Sequence, residues 1–152
     1  TESTLVAVST KDQLLSERIP ADIATWCPGY QTATVEERRA FWTGLLSAVA
    51  KYESTWNENA SGGGGRWIGL MQISPRSAAN YGCNATSVGA LKDGEANLQC
   101  AVEIMSTQVA KDGMVAGGGN RGIGRDWAPL RSSEKRAAMA AWTREQPYCQ
   151  AG

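Results

Sequence analysis

The chain has 152 residues, with 15 Lys and Arg balanced by 15 Asp and Glu, and it contains no histidine. That length suits one domain with a substantial core, and zero net charge argues against a nucleic-acid binder, whose phosphate affinity comes from clustered Lys and Arg. The missing histidine removes Ser-His-Asp and Cys-His catalysis and every histidine-ligated metal, so no metal or cofactor is expected and carboxylate chemistry remains.

Residues 1–33 are mixed in character. A short helix over residues 11–18 stops before Pro20, and Cys27-Pro28-Gly29-Tyr30 reads as a turn. The first strong helix follows. Thr34 and Glu37 have capping-box spacing, and Glu36 and Glu37 fall in the first turn, where the helix dipole favours anions. Phe41, Leu45, Ala48 and Tyr52 form one stripe at helical spacing, and Trp42, Leu46, Val49 and Glu53 form its neighbour. The four glycines from Gly62 to Gly65 make a flexible turn. From Trp67 to Ile73 the chain is apolar, and Ser74 with Pro75 opens a short helix. Asp93-Gly94 precedes a second long helix carried by Leu98, Ala101, Val102, Met105 and Val109. Residues 113–124 are rich in glycine again. A last helix starts at Ser132 or Ser133, ends near Arg144 and is closed by Pro147. No repeat and no clear β-hairpin interrupts this order. The expected fold is mainly α, with glycine-rich loops and at most a small β element: an N-terminal extension (1–33) packed on one domain (34–152). The basic clusters, Arg38-Arg39 and the 121–136 region, are interleaved with acids and read as solvated faces.

Four cysteines, Cys27, Cys83, Cys100 and Cys149, occur without metal-binding spacing. Two disulfides in an oxidising compartment fit this count, and four buried thiols are the alternative. Of three connectivities, Cys83–Cys100 closes a Gly/Asn-rich loop and Cys27–Cys149 ties the ends together, and these are preferred. Six Trp against one Phe suit sugar rings as well as cores, and for any single Trp the core is the default. No run approaches the ~18 apolar residues of a membrane span, and no signal-peptide pattern is present.

Gly117, Gly119 and Gly122 spell G-x-G-x-x-G, but no strand precedes them, so a dinucleotide site is rejected. Glu53 is the candidate proton carrier. It shares a stripe with Leu46 and Val49, so partial burial disfavours its anion. It sits near the negative end of the helix dipole, and no Lys or Arg occupies positions 49, 50, 56 or 57. A glutamic acid held neutral near pH 7 is the general acid of glycoside cleavage. A solvated helix-end carboxylate is the plain alternative.

Three motifs in order decide between them. Glu53-Ser54 with Trp56, Ala60 and Ser61 comes first, followed by Gly69-Leu70-Met71-Gln72-Ile73 with Pro75, Ala79 and Tyr81-Gly82. Glu95-Ala96-Asn97-Leu98 opens the next helix. Together they resemble the soluble lytic transglycosylase (SLT) domain of the lysozyme-like superfamily, of goose-lysozyme type. The resemblance implies a lysozyme-like helical fold, Glu53 as catalytic acid and base, and Ser54 supporting its orientation. It implies Met71, Gln72 and Tyr81 along the saccharide groove, and Asn97 from the opposite helix, with core packing for Met71 and helix capping for Asn97 as alternatives. The family's Tyr-Asn-Ala-Gly-like stretch is absent. In its place stand Arg125-Asp126-Trp127-Ala128-Pro129-Leu130-Arg131, where Trp127 is a candidate stacking platform with plain core as the favoured reading, and Asp126 is a candidate second carboxylate with a cap or surface acid as the favoured reading.

The implied reaction cleaves the β-1,4 bond between N-acetylmuramic acid and N-acetylglucosamine in peptidoglycan and leaves a 1,6-anhydromuramoyl end. A goose-type lysozyme using water, with Asp93, Glu95, Glu103 or Asp126 as helper, is the rival; a non-catalytic peptidoglycan-binding module is a third reading. Glycan strands are the expected partner, with a wall-crossing machine or an inhibitor or immunity protein left open. The expected state is a monomer in the periplasm or outside the cell, with no nucleic acid and no membrane span.

Overall fold

In the computed structural model residues 17–64, 66–117 and 121–150 are described. The helix expected over residues 11–18 falls almost entirely outside them, as does Gly119 of the glycine pattern. Among the described residues the architecture is helical: α1 (Ile23–Trp26), α2 (Val35–Ser54), α3 (Pro75–Asn80), α4 (Val88–Leu91), α5 (Gly94–Asp112) and α6 (Ser133–Glu145), linked by short 3-10 turns. Between α2 and α3 lies one β element, in which β1 (Ser61–Gly62) pairs antiparallel with β2 (Trp67–Ile68) around the glycine run. The sequence pattern shows no hairpin there because two residues per strand are too few to register as alternation.

The helices begin where their caps dictate. Thr34 Oγ1 accepts from the Glu37 N–H at 3.1 Å, and Glu37 Oε1 accepts from the Thr34 N–H at 2.9 Å, completing the capping box of α2. Ser74, Asp93 and Ser132 cap α3, α5 and α6 with their side-chain oxygens. α5 ends at Gly113, which takes the left-handed backbone that closes the helix.

One hydrophobic core runs through the molecule. Tyr30, Phe41 and Trp42 pack edge-to-face, with centroids 4.8–6.1 Å apart, and the Trp42 indole donates to the Tyr30 hydroxyl at 3.1 Å. Of the six tryptophans, Trp26, Trp42 and Trp127 are fully buried, whereas Trp56, Trp67 and Trp142 are exposed. Burying such rings stabilises by about 4–6 kcal/mol each at ~25 cal/mol per Å².

The N-terminal segment belongs to this core. Ile23, Trp26, Cys27 and Tyr30 are buried in the same cluster as α2 and α6. The Asp22 carboxylate accepts from the N–H groups of Val115 and Ala116 at 2.7 and 3.1 Å. The Thr143 hydroxyl donates to the Trp26 carbonyl, and Arg144 donates to that of Thr25. Both disulfides form as Cys27–Cys149 and Cys83–Cys100. The first fixes the N-terminal turn to the end of α6, and the second fixes the turn after α3 to α5.

The basic region near the C-terminus is more ordered than a solvated face. Arg125 grips Asp112 through two bonds of 2.8 and 2.9 Å, which holds the Asp112 carboxyl down at about 2. Arg131 donates to the carbonyls of Gly124 and Arg125, and Arg136 donates to that of Leu130. These long side chains organise a loop segment that has little regular structure of its own.

Candidate active site

Glu53 is the penultimate residue of α2, which ends at Ser54. Its side chain is half-buried, and that burial pushes its pKa from an ordinary 4.5 up to about 7, against the opposing pull of Lys135 and Arg131. Among the described residues its carboxyl makes no hydrogen bond and no close ion pair. Local sequence indicated no compensating cation, and within α2 that holds. The cations arrive from the 3-10 turn Ala128–Arg131 and the first turn of α6, about eighty residues downstream. One signal of them was available. A lysine in the first turn of a helix opposes the dipole, and Lys135 stands there.

The turn at residues 69–72 lies against the end of α2 and is held by four side chains. Ser54 Oγ donates to the Leu70 carbonyl at 2.7 Å. From α5, Asn97 accepts the Met71 N–H at 2.9 Å and donates to the carbonyls of Ile68 and Leu91 at 2.9 and 3.0 Å. The Trp127 indole donates to the Met71 carbonyl at 2.9 Å. Gln72 closes the turn on itself, its amide donating to the carbonyls of Gly69 and Ala60 at 2.8 and 3.2 Å. Gly69 is required at the contact with Asn97: its φ is +79°, and a Cβ there would collide with the Asn97 amide and the Leu91 carbonyl.

Several sequence-assigned roles change accordingly. Asn97 is completely buried and holds the turn from the opposite helix; it does not cap that helix, whose cap is Asp93. Met71 is core, as its alternative reading had it, and Trp127, only 1 % exposed, has no face free for stacking. The indole N–H explains why a tryptophan is there: it supplies a donor to an otherwise dry carbonyl. Ser54 ties the helix end to the turn through the Leu70 carbonyl. Gln72 is half-buried, and its remaining amide oxygen lies over Gly62.

Tyr81 and Asp126 meet through side chains. The Tyr81 hydroxyl donates to Asp126 Oδ2 at 3.0 Å, and the Gln108 amide donates to both of them. Burial first, then the Asp126 charge, pushes the Tyr81 hydroxyl up to about 12. Tyr81 is therefore a neutral phenol at neutral pH. Asp126 borders a small hollow with Gln72 and Trp67 and is absent from the groups that shift Glu53.

Among the described residues three that are not glycine adopt left-handed backbone, namely Thr55 (φ 52°), Trp56 (φ 59°) and Gln72 (φ 48°). All three flank Glu53 or close the adjoining turn. Each such residue costs roughly 1 kcal/mol or more, and their concentration here is typical of a functional region.

The site thus consists of the half-buried Glu53 carboxyl at the end of one helix, beside a clamped turn and a short β element. Residues 32–141 match the Transglycosylase SLT domain family, and the chain belongs to that family. It is also similar to solved structures of Bd0314 DslA. A Glu-to-Gln variant of that protein superposes with TM-score 0.89 at 28% identity, and wild-type form 2 with 0.86 at 27%. In both cases 98% of this chain and 90% of that chain are covered. No curated protein sequence matches the chain.

Proposed function

We propose that the protein cleaves the MurNAc-β-1,4-GlcNAc bond of peptidoglycan as a lytic transglycosylase, with Glu53 as its single acid and base. The observation that carries this reading is the Glu53 carboxyl, raised to about 7 by burial, with cations rather than carboxylates as its charged neighbours. Near neutral pH it is shared between both protonation states, as one group serving twice requires. As an acid it gives its proton to the leaving glycosidic oxygen. As the resulting anion it removes the proton of the muramoyl 6-hydroxyl, which attacks C1 and closes the 1,6-anhydro ring. The substrate's own N-acetyl group stabilises the positive centre between the steps, so no second protein carboxylate is needed.

Lys135 and Arg131 fit this cycle. They lower the energy of the Glu53 anion after the first proton transfer, without neutralising it through a direct ion pair. Two disulfides, and the absence among the described residues of a helix long and apolar enough to cross a membrane, are in keeping with work at the wall outside the cytoplasm. The test is digestion of purified sacculi followed by mass spectrometry. Anhydromuropeptides, lighter by one water than reducing-end products, are expected, and Glu53→Gln should release none. Reducing ends alone would assign a goose-type hydrolase instead; turnover by Glu53→Gln at the wild-type rate would remove Glu53 from the chemistry.

A further inference from the structure

A second surface begins one residue from Glu53. Tyr52, Trp56 and Trp142, with Ala48, Ala138 and Met139 between them, line a groove of about 340 Å³ between α2 and α6. The three rings are 36, 55 and 42 % exposed. Large aromatic rings left open to water side by side are informative in a way that a single exposed leucine is not.

We propose that this groove is a carbohydrate subsite, holding a pyranose ring of the glycan strand away from the bond cut at Glu53. The assignment rests on the peptidoglycan reading above and extends it to a second place on the molecule. Its first support is rigidity. Left-handed backbone at Thr55 and Trp56 turns the chain back at the end of α2, and the Trp56 indole is then anchored on the Ser47 carbonyl at 3.0 Å. On the far wall, Gly44 leaves space for the ring of Trp142 and the hydroxyl of Tyr148; a Cβ there would strike the hydroxyl and crowd the ring at 3.4 Å. A ring already anchored, as that of Trp56 is, loses little freedom when a rigid ligand binds.

The second support is continuity. The Lys135 ammonium lies 5.6 Å from the centre of the Tyr52 ring, and the same charge acts on Glu53. Groove and acid therefore share a cation and adjacent residues of one helix. The third is chemistry and size. A pyranose has apolar C–H faces and a belt of hydroxyls; the groove has aromatic walls with the Ser47 and Lys51 side chains among its lining. Its volume lies at the small end of the ~300–1,000 Å³ of small-ligand sites. A stable protein partner would bury roughly 800 Å² a side, more than three partly exposed rings provide.

The experiment uses the full chain carrying Glu53→Gln and follows tryptophan fluorescence and heat on titration with N-acetylglucosamine hexamer. Two further substitutions are compared on that background. Trp142→Ala removes one wall, and Ala138→Glu, at an exposed position of α6, places a carboxylate in the groove without removing packing. Each is expected to weaken hexamer binding on the order of tenfold, the size of one lost ring contact. With Glu53 intact, both should raise KM on long strands. Hexamer affinity equal to that of the parent in Ala138→Glu overturns the proposal, even if Trp142→Ala fails to fold. Persistent turnover by Glu53→Gln would sink the assignment of the acid while leaving the binding comparison intact, so the two failures are distinguishable.

Discussion

Replacing Glu53 by Gln should make the protein more stable, and by an amount that depends on pH. The carboxyl titrates near 4.5 when the chain is unfolded and near 7 in the fold, so the folded protein binds the proton more tightly. Below pH 4.5 the group is neutral in both states and contributes no penalty. As pH rises toward 7 the unfolded chain ionises first, and stability is progressively lost; above 7 the loss is complete. The full interval corresponds to ~3.4 kcal/mol at 1.36 kcal/mol per pH unit. Glu53 is only half-buried, so solvent screening reduces this to about 2 kcal/mol. Gln keeps the shape and removes the charge. Thermal melts of the two proteins should coincide at pH 4 and separate at pH 8, the variant melting roughly 4–8 °C higher for a domain of this length. Equal melting temperatures at pH 8, or a gap that widens toward acid, would refute the burial of the carboxyl on which the mechanism depends.

Lys135→Met removes a cation that holds the Glu53 carboxyl down; the alkaline limb of the pH–rate profile should move to higher pH, and an unmoved limb would detach Lys135 from the acid. Asn97→Ala leaves the Met71 N–H and two carbonyls unsatisfied in a dry site, and should cost roughly 3–5 kcal/mol in urea unfolding; a loss under 1 kcal/mol would contradict the clamp. Removing both Cys27 and Cys149 opens a loop of sequence separation 122, and should lower stability by roughly 5 kcal/mol, measured against the same variant's behaviour under reducing conditions, where no further loss is expected from this pair.

The sequence revealed the long helices because their caps and stripes are local. Thr34 with Glu37, Asp93 and Ser132 all act within one turn of themselves, and Glu53 showed its character through neighbours on its own helix. The preferred cystine pairing also holds, through the ends it joins. What stayed hidden were contacts made across the chain. The turn at residues 69–72 and the order Glu53, Gln72, Asn97 were visible as a pattern. Their spacing does not tell whether a polar side chain faces a ligand or a neighbouring peptide. Asn97 and Trp127 face the peptide. Lys135 stood out only as a cation in the first turn of its helix, and nothing in α2 refers to it or to Arg131; only the folding of the C-terminal segment back over the helix end makes them companions of Glu53. The two-residue strands left no pattern at all.

The Cys27–Cys149 bond gives the molecule a mechanical property. Residues 28–148, which include Glu53, the clamped turn and the aromatic groove, lie inside one covalent ring. Tension applied from outside that ring, at both ends of the chain, crosses it through the sulfur bridge and puts no load on the backbone between. Pulled from beyond the two cysteines, the region between them is a sealed unit that bears the load at the bridge without being stretched.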